Sequence, residues 1–173
     1  LKEAGFDELV VKSLDEITFL RENGLGDIPM VSDANLYVLN HLAREQMEDL
    51  GISRMTLPLE LNSRELETLG CEEMELYVYG YLPAMVSAQC IVRTTKGCTK
   101  QPEVLKMKDR TGKDLPVKNH CRFCYNTIYN PSPLSLLGQE KLIRRLAPGA
   151  LRLAFTLETP EQMKAVLDAF ADQ

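Results

Sequence analysis

Tryptophan is absent, histidine occurs only twice, and no apolar run approaches the roughly 20 residues that span a bilayer. Ser–His–Asp chemistry needs a histidine base beside its nucleophile, so proteolysis of that kind would fall to His41 or His120. His41 follows Asn40 in a helical pattern and reads as a helix-surface residue. His120 abuts Cys121, where support of a metal ligand is at least as natural as catalysis. No H-E-x-x-H, G-x-G-x-x-G or Walker A sequence occurs, which leaves a zinc-protease helix and a nucleotide-binding sheet without support. No signal peptide is evident, and five cysteines form neither an even count nor a dense framework. A soluble protein of a reducing compartment, the cytoplasm, is therefore expected.

What the chain does have is a stretch from Cys90 to Cys124 that holds four of the five cysteines in two pairs. Cys121 and Cys124 form C-x-x-C, a spacing that lets two thiolates from one turn reach one metal. Cys90 and Cys98 form the second pair. Between the pairs, VLKMKD and a run around LPVKN are joined by RTGK, which reads as a β-hairpin that brings the two pairs together. Scattered buried thiols and a disulfide are the alternatives. Four thiolates suit structural zinc and an iron–sulfur cluster equally well, so spacing does not choose the metal. Cys71 stands apart beside Glu72 and Glu73, where a thiolate is disfavoured, and is expected to have no role.

The net charge of −5 conceals an asymmetry. Ile91 to Arg122 carries nine basic residues against three acidic, +6 locally, which leaves −11 for the rest. A basic patch on an acidic body is the footprint of a protein that meets phosphates locally. A solvated, lysine-rich sheet edge protected against aggregation is the bland alternative. Lys106, Lys108 and Arg110 are the hairpin cations that would meet phosphates in the first of these readings, and they are substrate-binding candidates.

Strand and helix patterns alternate along residues 1–80 at roughly 22 to 25 residues per unit, as parallel βαβ units do. Strands are expected at Asp7–Val11, Ile28–Ser32, Ser53–Leu57 and Glu75–Tyr79. Helices are expected from Ser13 to Glu22, from Asn35 to Leu50, and from a cap at Asn62 or Ser63 to Gly70. Tyr125–Asn130 reads as a polar, aromatic segment, Leu134–Leu146 as a helix, and Leu151–Phe155 with the helix after Pro160 as a closing unit. The expected fold is α/β, a partial TIM-type barrel. Residues 1–173 would form one domain, with 90–124 as a cysteine-flanked hairpin insertion. In such a barrel the residues past the strand ends form the functional mouth, which places Asn35 and Glu60 as substrate-binding candidates. Five or six strands fall short of the eight that close a barrel. The chain is therefore expected to be the C-terminal half of a larger barrel, with an open edge through which it could form a homodimer.

YGYLPAMVSAQC, then KGC, LKMKDRTGKDLPVKNHCRFCYN and PLSLL, resemble peptidase family U32, the collagenase-like proteases. MTLPLELN and LRLAFTLETPEQMKAVLDAF resemble flanking segments, so the resemblance covers essentially the whole chain. It implies a TIM-type barrel. It also implies kinship with bacterial iron–sulfur enzymes that hydroxylate ribosomal or transfer RNA, or ubiquinone without oxygen, through a cysteine-bound four-iron four-sulfur cluster. Some relatives carry a ligand cysteine where this chain has Leu82 or Pro83, and Cys124 is the natural replacement. RNA is then the expected partner, with zinc as a possible substitute for the cluster. The second function is a collagenase-like protease or protein-binding module whose metal is purely structural.

Overall fold

The first three helices of the computed structural model, which describes residues 5–171, each begin where a short polar side chain takes up an orphan backbone N–H. Ser13 accepts from the Glu16 amide at the start of α1 (Leu14–Glu22). Asn40 accepts from the Ala43 amide to open α2 (His41–Asp49). Asn62 and Glu65 satisfy each other's backbone amides in a reciprocal box at the start of α3 (Ser63–Leu69). Strands β1 (Leu9–Val11), β2 (Met30–Ser32) and β3 (Ile52–Met55) alternate with these helices and pair in parallel, in the order β1-β2-β3. Val11, Met30, Val31, Ile52 and Met55 are buried, as are Ile17, Leu20, Leu66 and Leu69 from the helices.

The chain divides into two compact units, Leu1–Tyr77 with Gly138–Arg152, and Val78–Leu137 with Leu153–Gln173. In the first, a parallel bridge between Thr56 and Glu75 continues the pairing from β3 toward β4 (Glu75–Gly80). Helix α5 (Glu140–Leu146) leads to Gly149, whose backbone passes so close to Glu73 that an added Cβ would stand 2.8 Å from the Glu73 Cα. Gly149 and Ala150 then donate to the Met74 carbonyl. That places Arg152, on β10 (Ala150–Ala154), between two carboxylates, with Nη1 2.6 Å from Asp33 and Nε 2.6 Å from Glu75. Thr56 donates its hydroxyl to the same Glu75 carboxylate at 2.9 Å. All three charged side chains are largely buried.

The second unit is built on an antiparallel sheet of order β5-β8-β7-β6, from β5 (Pro83–Ser87), β6 (Val104–Lys108), β7 (Asp114–His120) and β8 (Tyr125–Tyr129). Its core contains Val92, Val117, Ile128 and Tyr129. The short β9 (Leu134–Ser135) pairs with the end of β4. Thr159 and Gln162 cap each other's amides at the start of α6 (Pro160–Ala171).

Three sequence expectations need correction. The helix expected over Asn35–Leu50 is a 3-10 turn, Ala34–Leu36, followed by α2. Tyr37 adopts a left-handed conformation with φ 50°, and Asp33 and Asn40 each cap a separate start. The helix expected over Leu134–Leu146 begins only at Glu140, because Leu134 and Ser135 pair with β4 and Gly138 turns the chain at φ 78°. Within Tyr125–Asn130, residues Tyr125–Tyr129 form an inner strand, β8, flanked by β5 and β7. Its Tyr, Thr and Ile content is what pleated surfaces favour. Strand β5, opened by Pro83 and mostly exposed, is its edge partner.

The fold is mixed α/β, with parallel and antiparallel pairing, and no closed barrel is formed among the described residues. No helix among them is long and apolar enough to cross a membrane.

Candidate metal centre

The predicted hairpin forms as β6 paired with β7, from Val104↔Lys118 to Lys108↔Asp114. A second hairpin, β7 to β8, carries the C-x-x-C pair. Its last paired residues are His120 and Tyr125, so Cys121 to Cys124 are the whole of its turn. The Phe123 amide donates to the His120 carbonyl at 3.0 Å, and Cys124 takes φ 55° to re-enter the ladder. The His120 and Tyr125 rings stack with centroids 4.3 Å apart, which stiffens the base of the turn. His120 Nε2 lies 3.1 Å from the Thr127 hydroxyl. Burial, then the charge of Lys118, holds its imidazole below the ordinary range.

Cys90 reaches the same place by a different route. Strand β5 runs antiparallel to β8, with Ser87 opposite Asn126, so the chain leaving β5 does so close to where β8 begins. Cys90 then caps the five-residue helix α4 (Ile91–Thr95), its sulfur accepting from the Arg93 amide at 3.5 Å. The chain turns at Gly97, φ 83°, and presents Cys98.

Cys90, Cys98, Cys121 and Cys124 all line one pocket of about 630 Å³, together with Ala88, Gln89, Arg93 and Thr94. None of the four is disulfide-bonded. Burial pushes the Cys121 thiol up, and Cys98, Cys124 and Cys90 push it further, while Lys100 works the other way. Each of the other three sulfurs is therefore within electrostatic reach of Cys121. Among the described residues no three Cys, His, Asp or Glu side chains have closed to metal-holding geometry. The sulfurs line the pocket wall rather than surround a point. The donor set nonetheless fits a soft metal or an iron–sulfur cluster: four sulfurs, none committed to a disulfide, around one space. Cys71 has no part in it. Buried, with its thiol donating to the Leu66 carbonyl at 3.3 Å, it is raised in pKa by burial and then by Glu72 and Glu67.

The basic residues fall around this unit. Arg93 lines the cysteine pocket, and Lys100, Lys118 and Arg122 line a neighbouring one of about 660 Å³ that also touches Cys98, Cys121 and Cys124. Lys106 and Lys108 project from the exposed face of β6, and Arg110 is exposed in the following turn. Lys106 also lines a pocket of about 550 Å³ with Tyr79, Tyr81 and Glu158. Asn35, in the 3-10 turn, and Glu60, in the turn before Asn62, are exposed in the first unit. Gln89, Arg93, Thr94 and Asn126 were not singled out from sequence. Only Asn126 had a signal, its alternation with Ile128 along β8.

A sequence model of peptidase family U32 matches residues 1–153. No curated protein and no solved structure matches the chain.

Proposed function

The chain belongs to peptidase family U32, and on that premise we propose that it is an iron–sulfur protein that takes part in the hydroxylation of RNA. Cys90, Cys98, Cys121 and Cys124 hold a four-iron four-sulfur cluster in this reading, and zinc replaces it in depleted samples. When bound, the cluster supplies electron transfer. The observation that carries the reading is the arrival of four cysteines, from three separate segments, at one pocket within the most basic stretch of the chain.

The residues around the pocket have distinct tasks. Arg93 offsets negative charge beside the sulfurs, and His120, braced on Tyr125, keeps the C-x-x-C turn in place. Lys106, Lys108 and Arg110 hold the RNA backbone. Asn35 and Glu60 bind substrate at the mouth of a TIM-type barrel to which β1, β2, β3 and β4 belong. The parallel β1-β2-β3 order and the parallel Thr56↔Glu75 bridge support that assignment. A protease acting through histidine has less support, because His41 bonds the Thr68 carbonyl and His120 is stacked and bonded to Thr127.

The test is purification of the protein without oxygen. About four iron atoms and as many sulfides per chain, with broad visible absorption that bleaches on reduction, are expected. A colourless protein that holds zinc and refuses iron on anaerobic reconstitution would leave a structural site only. RNA binding should weaken steeply with salt, in proportion to the phosphates contacted. Binding indifferent to salt would remove RNA from the reading.

A further inference from the structure

Asn126 sits on β8 with its side chain entirely out of solvent. Its register places it opposite Ser87 of β5 and Asn119 of β7, the two strands that lead into the cysteine-bearing turns. The Asn126 side-chain amide donates to the main-chain carbonyl of Gln89 at 2.7 Å. Gln89 immediately precedes Cys90 and itself lines the cysteine pocket. Strand β5 has ended at Ser87, so the Ala88–Cys90 stretch lies outside the ladder. Apart from the Asn126 bond, Gln89 is held by contacts with Ser87 and Thr94 at 3.3 to 3.5 Å.

The other end of the same amide is unmet. Asn126 Oδ1 is buried with no partner among the described residues, as is Oδ1 of Asn119 directly across the ladder. A buried acceptor without a donor is destabilising, so this amide contributes little to folding that an apolar side chain of its shape would not. Its donor bond is its distinguishing act. Asn119 makes the comparison sharp, because it is buried and unmet at the same level of the sheet and yet has no bond to the Gln89 carbonyl.

We propose that Asn126 is a positioning residue for the four-cysteine pocket, which sets Cys90 against Cys98, Cys121 and Cys124 by holding the Gln89 carbonyl. The inference rests on the reading of the pocket as a metal site, but the placement of Cys90 can be measured without metal. The reduced protein is exposed to a glutathione redox buffer. Two cysteine thiols then become one disulfide while glutathione disulfide is reduced to two glutathiones. Peptide mapping gives the rate at which Cys90 joins any of the other three. In Asn126→Leu that rate should fall about tenfold or more, since it reports effective concentration, while Cys121–Cys124 closure within its own turn is unchanged. Val117→Ala, another fully buried change in the same sheet, controls for lost stability and should leave the Cys90 rate as it was. Should Asn126→Leu fail to fold, Asn126→Ala removes the donor without added bulk and carries the same expectation.

Cobalt(II) alone then tests the metal. Its thiolate absorption should show one ligand fewer in Asn126→Leu, as in Cys90→Ser, and the full set in Val117→Ala. A slowed Cys90 with no cobalt bound by the unaltered protein would uphold the positioning and sink the metal reading. Unchanged Cys90 disulfide rates in folded Asn126 variants, or an equal fall in Val117→Ala, would overturn the proposal.

Discussion

Asp33 and Glu75 are bound to one guanidinium, that of Arg152, at 2.6 Å each. Asp33 follows β2, Glu75 opens β4 and Arg152 lies on β10, so three strands are joined by one cation. Thr56 completes the set through its hydroxyl. Removing the cation of a buried ionic group leaves its carboxylates under-compensated: without Arg152, Glu75 keeps only the Thr56 hydroxyl, and Asp33 keeps the Ala34 amide at 3.0 Å and Lys12 at 3.7 Å. Arg152→Met is therefore expected to destabilise the protein by roughly 3 kcal/mol, read as a lowered midpoint in urea. Glu75→Gln, which keeps an acceptor for Thr56 and leaves Asp33 with its partner, should cost less. Equal midpoints for Arg152→Met and the unaltered protein would mean that the group contributes nothing.

The turn between β6 and β7 should open in acid. Asp109 accepts from the Thr111 hydroxyl at 2.8 Å and from the Thr111 and Lys113 amides at 2.7 and 2.9 Å. The Thr111 hydroxyl first, then the Lys113 amide, holds its carboxyl below the usual range. A carboxyl depressed in the folded state stabilises above its unfolded pKa and loses that contribution as pH falls through the folded one. The Thr111 and Lys113 amides should therefore lose hydrogen-exchange protection below about pH 4, relative to amides in β8. Asp109→Ala should show the same loss at neutral pH. Protection that persists to pH 2 in the native protein would refute the assignment.

The five cysteines should separate into two classes. Serine at Cys90, Cys98, Cys121 or Cys124 is expected to lower bound metal severalfold, because each loss leaves three sulfurs at a site that wants four. Serine at Cys71 should leave metal content unchanged and lower stability only, since that thiol lies in the core against the Leu66 carbonyl. Metal analysis of the five single variants decides it. A Cys71 variant that loses metal would remove the distinction.

Self-association is expected of the 173-residue chain. In the first unit, Val10 on the edge strand β1 is 50% exposed, and Phe6, Leu14 and Phe19 nearby in sequence are 54, 52 and 60% exposed. Apolar area of this kind favours burial by about 25 cal/mol per Å², and an edge strand adds unpaired backbone groups. Sedimentation velocity should show a dimer that Phe19→Glu weakens. A sharp monomer across a hundredfold range of concentration would rule it out.

Where local chemistry decides, the sequence was readable. Ser13 and Asn62 announce helix starts within three residues of themselves, and Cys121–Cys124 announces a turn that carries two sulfurs. The hairpin of β6 and β7 could be read because its turn chemistry lies between its strands. Strand β8 could not. Tyr125–Tyr129 is polar enough to pass for loop, and its burial depends on two neighbours, one of which, β5, lies far back in the chain. The Asp33–Arg152–Glu75 group is equally silent in sequence, since none of its members lies near another along the chain.

The order in which the chain is synthesised gives the cysteine pocket a consequence of its own. Its four cysteines all fall between residues 90 and 124, and β8, the strand between the two that lead to them, ends at Tyr129. The Lys118 ammonium, by contrast, anchors to the Thr156 carbonyl at 2.9 Å. At translation rates of 5 to 20 residues per second, the carbonyl follows Cys124 out of the ribosome by about 2 to 6 s. For that interval the nascent chain holds every sulfur of the pocket while Lys118 still waits for its partner. A metal or cluster donor could therefore load the site before α6 exists.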